Sequence, residues 1–322
     1  MSQPIQIHRF VGLRFCVLAL ALLAGLAARS QDAVNYLRTA GDRTEGLDAK
    51  LRMAATEQRF DFSKNLICFT ASVNGRAGSY ILDTGAPHLL LNDWGQAERP
   101  ARAEGLAAGG RVTLGERYVA SLRFSGREYA KLWASTLDLR PMEKHLGQAI
   151  DGYIGFELLQ RSEVRIDYQR QNFRLLPPRR RPTHLGRAPD HVLSFKLVGH
   201  MPLVKVRQGK QNYYLLVDTG ASLNLLDESL AGLLAHTAGK VHVRGLDGHG
   251  IVARRGPLAD ASILPVSTKE AEFALLNLQA LQPEEGSLPI HGILGSAYLS
   301  EFVIGIDYPR RKIYLWKPQP SK

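Results

Sequence analysis

The sequence predicts an all-β chain built from two similar lobes, and three observations carry that expectation. Most apolar stretches are short and alternate with polar residues, Gly and Pro (30 and 16 of 322 residues) punctuate them, and a segment that begins at Tyr80 returns at Leu215. At about one domain per 150 residues, the length fits two units. Hydrophobic residues at 45% and charged residues at 22% are ordinary for a globular body, which excludes collagen, coiled coil and wholesale disorder. The two cysteines cannot staple such a chain, and no CxxC spacing supports a zinc site.

Residues 1–30 read as a secretory signal. Arg9 and Arg14 precede an apolar run from Phe15 to Ala28, and small residues follow, with cleavage after Ala27 or Ser30. The run is shorter than the roughly 20 residues of a spanning helix. An uncleaved anchor is the alternative, and only then is a membrane contact expected. An extracytoplasmic location, periplasmic or secreted, follows from export. Residues 31–58 are a spacer or pro-segment. Cys16 would leave with the signal, and Cys68, in an alternating stretch, reads as a packed strand residue.

The repeat defines the rest. Tyr80-Ile-Leu-Asp-Thr-Gly-Ala-Pro-His-Leu-Leu-Leu-Asn92 returns as Leu215-Leu-Val-Asp-Thr-Gly-Ala-Ser-Leu-Asn-Leu-Leu-Asp227. Asp151-Gly-Tyr-Ile-Gly155 returns as His291-Gly-Ile-Leu-Gly295, and Val164–Leu176 as Ile304–Trp316. The lobes are therefore 59–177 and 190–318, joined by a Pro- and Arg-rich linker at 178–189. Each copy is expected to close with a hairpin, its turn pre-set by Pro309 in the second. Asn92 and Asp227 precede Asp93 and Glu228, as helix N-caps do.

One Asp-Thr-Gly is a weak signal, since all three residues favour turns. Two are strong when each ends an apolar strand and each is followed at nearly the same distance by an apolar-apolar-Gly, ending at Gly155 in one copy and Gly295 in the other. The arrangement resembles the aspartic peptidase superfamily, specifically the bacterial retropepsin-like members with two copies in one exported chain, and the resemblance covers most of residues 60–317. It implies two pepsin/retropepsin-like β-barrel lobes related by a pseudo-two-fold axis, sharing one cleft in a monomer. It implies Asp83 and Asp218 as the catalytic pair, with Thr84 and Thr219 locking the loops and Gly85 and Gly220 admitting close backbone approach. It also implies Ser222 as a backbone contact to substrate. Gly105–Gly110 and Gly245–Gly250 are candidate flaps, with Gly109, Gly110, Gly248 and Gly250 near the substrate. Pro87 departs from the pattern because it has no N–H to offer.

The chemistry gives these residue types a reason. Two adjacent carboxylates cannot both ionise comfortably, so they share a proton, and one acts as acid while the other acts as base on a water. The expected activity is endopeptidase hydrolysis of a peptide or protein substrate, with no metal or cofactor. The alternative is a non-catalytic protein that binds peptide or wall fragments on the same fold. No GxSxG, GxGxxG, P-loop or HExxH motif supports another chemistry. The net charge of +11 falls to +8 without residues 1–30, which hold three arginines and no acid. No basic motif with interleaved aromatics accompanies it, so no nucleic-acid partner is expected.

Overall fold

The computed structural model describes residues 15–17, 56–94, 99–107, 110–246, 250–260, 265–266, 271–283 and 285–318. The protein is all-β, with only short helices between strands. Of the N-terminal segments, Phe15–Val17 forms a short strand parallel to the Gly239–Arg244 strand, and Gln58–Arg59 pairs with Asn172–Leu176. The remainder of the expected signal and of the spacer up to residue 55 lies outside the described residues.

Strand pairing in the first copy closes on itself. Cys68–Val73, Arg76–Leu82, Gly152–Ile154, Leu90–Asn92, Arg127–Leu137 and Gly110–Phe124 follow one another around a six-stranded barrel, and the last pairs back onto the first. Arg99–Ala107 extends it as a hairpin with Gly110–Phe124. Two of its turns are set by local chemistry. Asn74 and Gly75 (φ 51° and 82°) and Ser125 and Gly126 (φ 48° and 71°) supply the left-handed residues that a two-residue hairpin requires.

The second copy repeats the chain path within a 14-stranded sheet. Its strands run Gly239–Arg244, Gly250–Pro257, Glu272–Leu276, Asn224–Asp227, Gly292–Leu294, Gln211–Val217, Met201–Gln208 and His191–Val198. The sheet then continues through both closing hairpins, Lys312–Trp316 with Val303–Asp307 and Glu163–Asp167 with Asn172–Leu176. The two hairpins have matched turns, in which Asp167 and Asp307 each accept a backbone N–H, from Arg170 and Arg310, at 3.0 Å.

The halves join where Glu163–Asp167 runs antiparallel to Val303–Asp307. Arg165 lies opposite Gly305, and these are equivalent positions in the two copies, so the pairing is symmetric about its own centre. Gly305 has no space for a side chain, because a Cβ there would meet Glu163 Oε1 at 2.6 Å. His184 reaches from the linker to the same Glu163 carboxylate at 2.8 Å, and the Tyr314 hydroxyl donates to Arg179 O at 3.3 Å. The linker is thereby fastened to the central sheet. One apolar core runs through both halves, from Phe69, Leu82 and Ile166 to Val217, Leu294 and Ile304. Each fully buried Leu, Ile or Phe contributes roughly 1.5–3 kcal/mol.

One sequence expectation is corrected here. Asp227 does cap a short 3-10 helix, Glu228–Leu233, by accepting from Ser229 N. Asn92 caps no helix. It ends the Leu90–Asn92 strand with its amide fully buried, donating to Ile150 O and accepting from Leu139 N, both at 2.9 Å. A buried polar side chain must find partners, and here two loops offer them.

Candidate active site

Asp83 and Asp218 each follow the buried apolar end of a strand, Arg76–Leu82 and Gln211–Val217. Each loop is held from behind by its own copy. Asp83 N donates to Ile154 O and Asp218 N to Leu294 O, both at 3.0 Å, so the apolar-apolar-Gly segments lie directly alongside the loops. Glycine is required there. A Cβ on Gly155 would meet Ala86 O at 2.5 Å, and one on Gly295 would meet Ala221 O at 2.6 Å.

The two loops interlock. Thr84 Oγ1 accepts from Thr219 N at 3.0 Å and donates to Val217 O at 2.9 Å. Thr219 Oγ1 accepts from Thr84 N at 3.1 Å and donates to Leu82 O at 2.8 Å. All four bonds are buried and cross between the copies. The carboxylates then face the opposite loops, since a Cβ on Gly85 would stand 2.7 Å from Asp218 Cγ and one on Gly220 would stand closer still to Asp83 Cγ. The sequence-predicted Asp83, Thr84, Gly85, Asp218, Thr219 and Gly220 thus converge on one place.

Its electrostatics follow from burial. Asp83 and Asp218 are 1% and 0% exposed. Gly85 N and Ala86 N donate to Asp83 Oδ1 at 2.8 and 2.9 Å, and Gly220 N donates to Asp218 Oδ1 at 2.8 Å. Loss of water pushes the Asp83 carboxyl well above its ordinary range, and the neighbouring Asp218 pushes it further. Burial also raises Asp218, to about 6, against the pull of the backbone N–H groups and of Asp83. A pair so placed shares a proton at pH values where a lone exposed carboxyl would be ionised. Tyr153 and Tyr308 wall the site. Burial raises both phenols first, and carboxylate charge from Asp83, joined at Tyr308 by Asp218, raises them further.

Other sequence candidates are placed differently. Gly110 and Gly250 open the second strands of two equivalent hairpins, Arg99–Ala107 with Gly110–Phe124 and Gly239–Arg244 with Gly250–Pro257. Gly109 and Gly248 lie outside the described residues. Ser222 is buried, and its carbonyl accepts from Asn65 Nδ2 at 3.2 Å. His291 is a structural acceptor. Its Nδ1 takes the Tyr214 N–H at 3.1 Å, as Asp151 Oδ2 takes the equivalent Ser79 N–H at 2.8 Å. Cys68 is a buried strand residue whose thiol is pushed up to about 11 by burial, too high for a nucleophile at neutral pH. His88 Nε2 lies 2.6 Å from Ser135 Oγ.

Sequence reading missed several contacts across the copies, the Asn65–Ser222 bond among them. Leu246, just past the Gly239–Arg244 strand, is buried in an apolar cluster with Leu66, Ile81, Leu90 and Tyr153 of the first copy. His200 Nε2 approaches Gly85 O at 2.8 Å. Among the described residues no three His, Cys, Asp or Glu side chains gather as a metal site, and no helix is long and apolar enough to cross a membrane. No protein-family model matches the chain, and no curated protein matches it.

Proposed function

We propose that the chain is an aspartic endopeptidase of the retropepsin-like kind, its two copies forming two lobes about a pseudo-two-fold axis with one shared active site. The observation that carries this reading is the pair of buried carboxylates, one from each copy, seated on loops that interlock through Thr84 and Thr219. The tandem Asp-Thr-Gly motif supports it independently.

In the proposed reaction the peptide carbonyl and a water meet at the dyad. Asp218, ionised first, draws a proton from the water as the oxygen attacks the carbonyl carbon. Asp83, raised further and still protonated, donates to the carbonyl oxygen. A neutral gem-diol results, with no covalent enzyme intermediate. Collapse breaks the C–N bond as Asp218 returns a proton to the leaving nitrogen and Asp83 recovers its own from a hydroxyl, so the dyad regains its starting state.

The substrate class is peptide or protein, and the reading requires neither metal nor cofactor. The test is incubation of the purified protein with a mixed peptide library, beside Asp83→Asn and Asp218→Asn. Either substitution should lower the rate at least about 10²-fold. Both variants cleaving at the parental rate would overturn the dyad.

A further inference from the structure

We infer that Asn65 and His200 are positioning residues for the carboxylate pair, a matched couple of struts that sets the spacing of the two Asp-Thr-Gly loops. The inference rests on the peptidase reading for its rate measurements but not for its geometry.

Asn65 and His200 are separated along the chain by the same interval that separates Asp83 from Asp218. Each lies just before the first inner strand of its copy and crosses to the other copy's loop. Asn65 Nδ2 donates to Ser222 O at 3.2 Å, and His200 Nε2 donates to Gly85 O at 2.8 Å. The residue ahead of each is also equivalent, and both are left-handed, Lys64 at φ 54° and Gly199 at φ 60°. A lysine in that region is disfavoured on its own, and here its ammonium is anchored to His145 O and Leu146 O at 2.9 and 2.5 Å. Asn65 is itself left-handed, at φ 59°, whereas His200 is not, so the two turns differ in form, yet each delivers a donor across the boundary.

The acceptors explain what the struts control. Gly85 touches both carboxylates, because its N–H donates to Asp83 Oδ1 and its Cα faces Asp218 Cγ. Pulling on its carbonyl moves both contacts at once. Ser222 follows Ala221, whose N–H bonds to the Asp218 carboxylate. A carbonyl acceptor fixes the His200 tautomer, since Nε2 must carry the hydrogen. Burial keeps the ring neutral by lowering its pKa to about 4. The Thr84–Thr219 lock holds the loops beneath the carboxylates, and the struts hold them from the flanks.

The experiment uses the full chain with His200→Ala, His200→Gln and Asn65→Ala. Carboxyl ¹³C NMR reads the two apparent pKa values of the dyad, and peptide hydrolysis reads kcat and KM. His200→Ala should narrow the separation of the two values by roughly one unit and lower kcat roughly 10- to 100-fold with KM nearly unchanged. His200→Gln, which keeps an N–H donor, should recover most of both. If His200→Ala does not fold, Asn65→Ala is read by the same two measurements. Unchanged separation and kcat in a folded strut variant would overturn the inference and leave the peptidase reading intact. So would a loss that glutamine does not repair. A dyad whose separation responds to His200 in a protein that cleaves no peptide would support the struts and sink the peptidase. Carboxyls that titrate independently in the parent protein would overturn both.

Discussion

Thr84 and Thr219 each accept the other's backbone N–H, at 3.0 and 3.1 Å, while donating to a carbonyl at the end of the opposite strand. The consequence is that neither loop is complete without the other. Thr84→Val would leave the Thr219 N–H and the Val217 carbonyl buried without partners, a loss on the order of 2–4 kcal/mol. Thr84→Ser should stay near the parent. Denaturant unfolding at constant m-value checks both, and equal midpoints for the valine and serine variants would contradict the lock.

Asp218→Asn should stabilise the protein at pH 8 while reducing peptide hydrolysis. The folded pKa is raised, from 3.8 to about 6, so the contribution of this group is fully present below about pH 4 and is lost as pH rises through about 6. Asparagine has no charge to bury. Its advantage should be on the order of 2–3 kcal/mol at pH 8 and close to nothing at pH 4. Melting temperatures of both proteins at the two pH values decide it.

The same shifts set the working range. The proposed reaction needs Asp218 ionised and Asp83 protonated, so its acid limb should fall near pH 6, above the range of an ordinary carboxyl. A kcat/KM profile confined below about pH 4, the range of an ordinary carboxyl, would refute this.

His291 and Asp227 offer a swap test against Asp151 and Asn92. The first copy satisfies one strand N–H with Asp151 beside Asn92, and the second satisfies the equivalent N–H with His291 beside Asp227. His291→Asp alone should destabilise the protein, because two carboxylates then adjoin. Adding Asp227→Asn should restore most of the loss, a coupling of about 1 kcal/mol or more. The double variant should also lose an acid sensitivity. Burial lowers the His291 pKa, so its contribution is present above about pH 6.5 and falls away as pH drops below it. A thermodynamic cycle at pH 7 and pH 5 measures both effects, and additive losses would rule the exchange out.

What the sequence made legible was whatever repeats along the chain. Asp83 with Asp218, Gly155 with Gly295 and the closing hairpins were readable because local patterns recur at a nearly constant interval. Asn92 misled because an Asn before an acid imitates a cap, whereas its partners, Ile150 O and Leu139 N, come from loops far downstream. The reach of His200 to Gly85 and of Leu246 into the first copy depends on how the halves meet, which periodicity does not encode. The Asn65–His200 equivalence was present in the numbering. Its meaning required the two carbonyls opposite.

The pairing of Arg165 with Gly305 also restricts how the chain can be divided. Two identical first halves meeting through this strand would set one guanidinium against another on the axis, and two identical second halves would set glycine against glycine, with no Glu163 for His184 to grip. Separately expressed halves should therefore recognise each other and reject themselves.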